Sequence, residues 1–380
     1  MRIALVHMRH AATGGTERYL NHLAAHLAGL GHAVTIVCRR HAAAPHPDVD
    51  FAVLRPLALG RVHRMISFAK AVERHVQETA YEVVVGLGKT WSHDVIRLGG
   101  GCHQTFLDHT YHAAQRVSLH QFKGAWLRHR CALALEARGL AHDAYSRVIT
   151  NSAMVKRDVM DRYGVPEEAI TIIPNGVDLD RFHPRHRTGS GAVLRQQLGF
   201  DDSHLVFVFV GTGYRRKGLD RLLDVMPDLV RQRPESRLLV AGYESGLESW
   251  QQQAGRIGMA HHVRFLGGRR DPETCYGAGD LYVLPTQYDP FANTTLEALA
   301  SGLPVVTTAA NGGCEVLDQG KHGAVIPNAD DREALLQGLL MWSDRDRLRD
   351  SSVAARCRAE QYGVRREMEA STAVITACCR

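Results

Sequence analysis

Short apolar runs of strand length, each followed by a glycine-bearing loop and a run with helical spacing, recur along this 380-residue chain. No other feature constrains its fold as much, because that alternation belongs to α/β architectures. Residues 2–7 are largely apolar, a loop with Gly14-Gly15 follows, and residues 16–30 set Leu20, Leu23, Ala24 and Leu27 on one helical face. Gly31 stops that helix, and residues 33–38 form a second strand. This is the opening of a βαβ unit, whose strands run parallel. The pattern restarts with a strand over 205–211, a loop Thr212-Gly213-Tyr214-Arg215-Arg216-Lys217-Gly218 and a helix over 219–231. A chain of 380 residues exceeds one ordinary core, so two domains of this kind are expected.

Composition narrows the function classes. Charged and apolar fractions of 23% and 45% are those of a folded globular protein. No apolar run approaches the roughly 20 residues needed to span a bilayer. The 8 cysteines are scattered without a CxxC pair, and no secretory signal precedes the first strand, so reduced thiols and a cytoplasmic location are expected. A net charge of +6, carried mostly by Arg, favours phosphate-bearing ligands or an anionic membrane surface. It is too diffuse for nucleic acid, and no recognition motif for one is present. The dinucleotide fingerprint GxGxxG is absent. Gly88-Lys89-Thr90 resembles the end of a P-loop, but Val83 stands where its first glycine belongs.

The most informative stretch is 286–313, TQYDPFANTTLEALASGLPVVTTAANGG. It follows a strand over 281–285 and contains a helix over 293–301, with Asn293, Thr294 or Thr295 as N-cap. Gly302 and Pro304 end the helix, and residues 304–308 make the next strand. A helix start aims unpaired N–H groups and a positive dipole end outward, which suits an anion. Asp289 and Glu297 bracket that start and suit hydroxyl groups on either side of a phosphate, the layout of a nucleotide sugar. The plainer reading is an ordinary αβ unit with surface acids.

The stretch resembles the signature of family 4 glycosyltransferases, in which two acids flank a loop and helix beside the donor sugar. Asp289 stands where the family usually has Glu, one methylene shorter, and Glu297 matches the acid that holds the ribose hydroxyls. The run Pro174-Asn175-Gly176-Val177-Asp178-Leu179-Asp180-Arg181-Phe182 is similar to the family's hinge motif, which places Asp178-Leu179-Asp180 outside any metal-binding DxD and implies no catalytic metal and no cofactor. The resemblance implies the GT-B fold, two Rossmann-like domains facing a central cleft. Its domains would be 1–174, joined by a helix over 362–380 that crosses back, and 175–361, with 184–191 as linker.

Site residues follow from the same resemblance. Arg216 and Lys217 would neutralise the donor diphosphate beside Gly211, and Gly14-Gly15 would abut the phosphates. Without the resemblance, a tight turn serves equally as a reading of Gly14-Gly15, and solvated surface charge is the plainer alternative for Arg216-Lys217. Arg264, Phe265 and Leu266 would hold the base through backbone groups, and Asn293, Thr294 and Thr295 would meet the donor at the helix start. A cationic pair at a helix start costs roughly 0.3–1 kcal/mol per exposed charge unless it meets an anion, to which Arg binds bidentately.

Gly99-Gly100-Gly101 leads into a loop expected to face the cleft, which carries His103, an acceptor-side or a structural residue, and Asp108. Residues 111–141 interleave Arg116, His120, Lys123, Arg128, His129 and Arg130 with Phe122, Trp126, Leu127 and Leu133. They form either a core helix with a solvated basic face or an interfacial segment resting on anionic lipid. Lipopolysaccharide-core glucosyltransferases are similar here and in the positions of GLGK, RLGGG and TTLEA. The activity this implies is retaining, metal-independent transfer of a hexose, glucose from UDP-glucose, to a lipopolysaccharide-core or other cell-envelope glycan, at the cytoplasmic face of the inner membrane. Alternatives are a family 4 enzyme using GDP-mannose or UDP-GlcNAc, and a nucleotide-sugar-binding protein without turnover.

Overall fold

The computed structural model describes residues 1–11, 14–110 and 123–379. The chain divides into two compact units, Met1–Pro174 with Arg365–Arg380, and Asn175–Val364. The first unit contains β1 (Arg2–Val6), α1 (Gly15–Gly29), β2 (Ala33–Cys38), β3 (Val49–Val53), α2 (Gly60–Glu78), β4 (Val83–Gly86), β5 (Val95–Arg97), α3 (His103–Thr110), α4 (Lys123–Gly139), β6 (Arg147–Thr150), α5 (Ala153–Tyr163) and β7 (Ile170–Ile172). Its strands form one sheet in the order β3-β2-β1-β4-β5-β6-β7. All pairs are parallel. Ile3, Ala4, Leu5 and Val6 are all buried, without alternation, because a parallel sheet is covered on both faces.

Two features fix local geometry in this unit. Ser152 caps α5 by accepting from the Val155 amide at 3.2 Å, and Gly164 ends it in the left-handed region. A helix late in the chain completes the unit: Glu367 meets Arg97 and Ser371 accepts from the Tyr19 hydroxyl at 2.9 Å.

The second unit contains α6 (Ser190–Gln197), β8 (Leu205–Val210), α7 (Leu219–Gln232), β9 (Ser236–Ala241), α8 (Leu247–Arg256), β10 (Val263–Gly267), α9 (Pro272–Ala278), β11 (Leu281–Leu284), α10 (Asn293–Ala300), β12 (Val305–Thr308), β13 (Gly323–Ile326), α11 (Arg332–Met341) and α12 (Arg345–Glu360). The late helix noted above is α13 (Val364–Thr376). A parallel sheet runs β10-β9-β8-β11-β12-β13. Leu219, Leu222, Leu223, Met226 and Leu229 repeat at three- and four-residue spacing on α7 and are all fully buried. Each such side chain contributes about 1.5–3 kcal/mol on burial, which outweighs the cost of Pro227 inside the helix together with the α7 propensity. A charge at Leu223 would break this face.

Three expectations need correction. Residues 184–191 are not a linker: they form a 3₁₀ turn and the start of α6, packed on α9 within the second unit. A Cβ on Gly191 would lie 2.2 Å from the Gly277 carbonyl carbon, so the two backbones touch. His103 and Asp108 do not lie in a loop but on α3. None of Asn293, Thr294 and Thr295 is the N-cap of α10, which is Ala292, with no side-chain cap bond. Asn293 is engaged elsewhere, its Oδ1 accepting from Asn175 Nδ2 at 2.6 Å. The elements β3, α2 and α8 carry no strong sequence signal: α2 and α8 begin without a side-chain cap, and β3 contains an exposed Asp50. Of the 111–141 segment, residues 111–122 lie outside the described residues, and the remainder is mostly α4.

Candidate active site

In the second unit, β8 ends beside a turn that carries the cations. Lys217 donates its backbone N–H to Gly213 O, and Gly218 N bonds Arg215 O, so residues 213–218 form a compact coil before α7. Gly218 has φ +84°, and a Cβ there would lie 1.9 Å from Pro285 O. Only glycine lets this turn press against the segment after β11. Thr286 Oγ1 and the Gln287 amide both donate to Arg216 O, at 3.1 and 3.0 Å, and staple the two segments together.

The stapling brings Asp289 onto the cations. Its Oδ2 lies 2.5 Å from Lys217 Nζ and 3.2 Å from Arg216 Nη1, and Arg216 also donates to Tyr288 O at 2.9 Å. Lys217 and Asp289 are each 8% exposed. Burial alone would raise the Asp289 pKa, but the Lys217 and Arg216 charges and hydrogen bonds outweigh it and hold it below the ordinary carboxylate value. The carboxylate therefore stays ionised.

Glu297 sits on α10, also buried, and accepts from the Tyr276 hydroxyl at 2.9 Å. Burial first, and then the Glu297 charge, push the Tyr276 pKa well above its usual value, so Tyr276 remains a donor. Thr295 is fully buried and its hydroxyl accepts from Asn311 Nδ2 at 3.0 Å. Asn311 has no place among the residues predicted from sequence, yet it ties the region together. Its Nδ2 also donates to Thr307 Oγ1, and its Oδ1 accepts from the Ala292 and Gly313 amides at 3.1 and 2.9 Å. The only signal for it was its place before Gly312-Gly313.

Other predicted residues are distributed as follows. Gly211 closes on Gly242, where a Cβ would lie 1.7 Å from Gly211 O. β10 pairs with β9 through Phe265 and then shifts register before Gly267, leaving Leu266 in an irregular step of the ladder. Arg264 turns its guanidinium back to Ala260 O at 3.0 Å. Asp178 of the DLD triplet accepts from the Asp180 and Arg181 amides and shapes a turn. Among the described residues, no group of three or more His, Cys, Asp or Glu is arranged to hold a metal.

The remaining predicted residues belong to the first unit. Gly14 precedes α1 with φ +120°, and at Gly15 an added Cβ would meet open space. His103 lines a cavity of about 500 Å³ together with His7, Lys89, Arg97, Phe106 and Glu136. Glu136 is buried there and accepts from Lys89 Nζ at 2.9 Å, the His103 amide at 2.7 Å and the Tyr163 hydroxyl at 2.6 Å. Burial, followed by the Lys89 charge, lowers the His103 pKa to about 4, and its Nε2 shares a proton with His129 Nδ1 at 3.0 Å. A neutral imidazole in a largely apolar cavity accepts or donates one hydrogen bond without adding charge.

Two family models match the chain, Glycosyltransferase Family 4 over residues 13–181 and Glycosyl transferases group 1 over residues 192–356. The chain belongs to the GT-B glycosyltransferases. It is 24% identical over 336 residues to the lipopolysaccharide glucosyltransferase WaaG of Escherichia coli, covering 88% of this chain and 87% of that one. The crystal structure of WaaG superposes with a TM-score of 0.82 at 22% identity, over 98% of this chain and 99% of WaaG. Anabaena HepE, in complex with UDP-glucose, superposes at 0.75 with 19% identity, over 99% and 100% of the two chains. Against many other curated relatives the chain spans about half of their length. In this GT-B glycosyltransferase the group 1 model contains the Arg216–Lys217–Asp289 cluster and Glu297, and the family 4 model contains Gly14, Gly15 and the His103 cavity.

Proposed function

We propose that the chain transfers a hexose, glucose from UDP-glucose, to a lipopolysaccharide-core or other cell-envelope glycan with retention at the anomeric carbon. The observation that carries this reading is the cationic pair, buried Lys217 with half-buried Arg216, held at the start of α7 by the 285–289 segment. Preorganised cations stabilise a leaving diphosphate without needing a metal or any rearrangement at the moment of reaction. Glu297, oriented by Tyr276, would hold the ribose hydroxyls, and backbone groups at 264–266 would take the base. In a retaining reaction of this kind the departing phosphate helps deprotonate the acceptor hydroxyl on the same face, so no protein nucleophile is required. The WaaG relative supports the choice of sugar and acceptor, and HepE with UDP-glucose supports the donor.

The His103 cavity would take part of the acceptor glycan. A peripheral contact with anionic lipid at the cytoplasmic face of the inner membrane is part of the same reading. Trp126 and Leu127 are exposed on α4, and the Arg130 guanidinium lies 4.5 Å from the Trp126 ring centre. Among the described residues no helix is long and apolar enough to cross a membrane. A thermal-shift screen of nucleotide sugars followed by acceptor profiling tests the activity. UDP-glucose should stabilise the protein most and support transfer to a core glycan. Stabilisation by GDP-mannose alone, or binding of UDP-glucose with no release of UDP under any condition, would overturn it. Binding to anionic vesicles at low salt, weakened at high salt, checks the lipid contact.

A further inference from the structure

We propose that Asp289 is an internal counter-ion for the Arg216–Lys217 pair, standing in for the diphosphate when the site is empty and opposing it when the nucleotide is bound. This rests on the donor reading above and assigns Asp289 a role other than contact with the sugar. One carboxylate oxygen serves both cations, at 2.5 and 3.2 Å, in a place where Lys217 and Asp289 are almost closed to solvent. A cation enclosed as Lys217 is, with the Arg216 guanidinium beside it, would be costly without an anion. With Asp289 present, the cluster carries one net positive charge rather than two.

The carboxylate has little freedom to leave when a diphosphate arrives. The Asp289 amide donates to Ala310 O at 2.9 Å, and its carbonyl accepts from the Gly312 amide at 2.9 Å. Its second carboxylate oxygen accepts from the Phe291 amide at 3.2 Å. Asp289 is thus pinned at its backbone on both sides and at its other oxygen. A bound diphosphate shares its cations with a fixed negative charge a few ångströms away, which weakens the hold on the nucleotide and speeds its departure. A glutamate would carry its carboxylate roughly 1.5 Å further along the side chain. The shorter aspartate keeps the charge on the cations.

A counter-ion and a sugar ligand predict opposite signs. Replacing Asp289 by Asn removes the charge and keeps the shape. UDP should then bind about tenfold tighter by calorimetry and dissociate more slowly by stopped flow, while the ligand-free protein melts at a lower temperature. Saturating UDP should restore the melting temperature toward that of the parent. Asp289→Glu keeps the charge and should bind UDP more nearly as the parent does. Unchanged or weaker UDP binding in Asp289→Asn overturns the proposal. Asp289→Ser covers the case in which Asn disrupts the fold, and failure of both to fold even with UDP present also overturns it, because a diphosphate must be able to replace a counter-ion. If the parent protein itself binds no UDP, the donor reading fails instead.

Discussion

Arg97 and Glu367 stand 270 positions apart in the chain and meet as a buried ion pair, Nη2 to Oε1 3.0 Å. The Arg97 guanidinium also lies 3.6 Å from the centre of the Tyr19 ring, whose hydroxyl reaches Ser371. These contacts carry α13 back onto the first unit. Two hydrogen-bonded partners in one pocket hold a helix that sequence order alone would have left at the end of the second unit.

Breaking that pair should therefore destabilise the first unit strongly. Glu367→Ala leaves a buried guanidinium without its carboxylate and should cost about 3–5 kcal/mol. Urea unfolding checks this. A loss below about 1 kcal/mol would mean that water or another group compensates Arg97.

Lys217→Ala should lower turnover by about 10²-fold or more, because the ammonium would meet the leaving diphosphate. Steady-state UDP release from UDP-glucose in the presence of acceptor measures it. Undiminished turnover would remove Lys217 from the chemistry.

Gly218→Ala places a Cβ against Pro285 O in a left-handed backbone, at a cost of about 3 kcal/mol or more. Because the same contact presents Arg216 and Lys217, nucleotide affinity should fall with stability. Calorimetry with UDP alongside thermal unfolding would reveal slack in the turn if neither changed.

Tyr276→Phe removes the hydroxyl that donates to the Glu297 carboxylate at 2.9 Å. The donor KM should rise roughly tenfold with kcat little affected, since the acid is misaligned for binding rather than for bond cleavage. A fall in kcat with KM unchanged would contradict the binding role proposed for Glu297.

Stability should also fall with acid through His93. Its Nε2–H donates to Gly139 O at 2.9 Å, and burial lowers its pKa from the ordinary 6.5 to about 4. Between those values the unfolded chain binds the proton and the folded chain does not, so stability rises with pH. Full stability holds above about 6.5 and drains away toward about 4, by at most about 3 kcal/mol. His93→Gln should flatten this part of the profile of unfolding free energy against pH. A profile as steep as the parent's would assign the acid sensitivity to other groups.

Much of the fold was legible in local pattern. The strand over 205–210 reads LVFVFV and is buried at every position, and the α7 leucines repeat at helical spacing. Ser152, a residue type suited to an N-cap, does cap α5. The elements that escaped lack such marks, as the uncapped α2 and α8 do. In the site, Arg216, Lys217, Asp289 and Glu297 could be picked out by charge and position, whereas Asn311 could not. A buried amide that organises four partners looks, in sequence, like any loop asparagine.

By itself the sequence determined the alternation of strand and helix, the two βαβ-built units, and the residue types able to grip a phosphate, because periodicity and glycine placement act over a few residues at a time. Tertiary structure alone decided that Asp289 closes on Lys217 and Arg216, and that the returning α13 meets Arg97 through Glu367. Those pairings join positions 72 to 270 residues apart. Only the folded sheets bring such positions within the few ångströms over which charge and hydrogen bonding act.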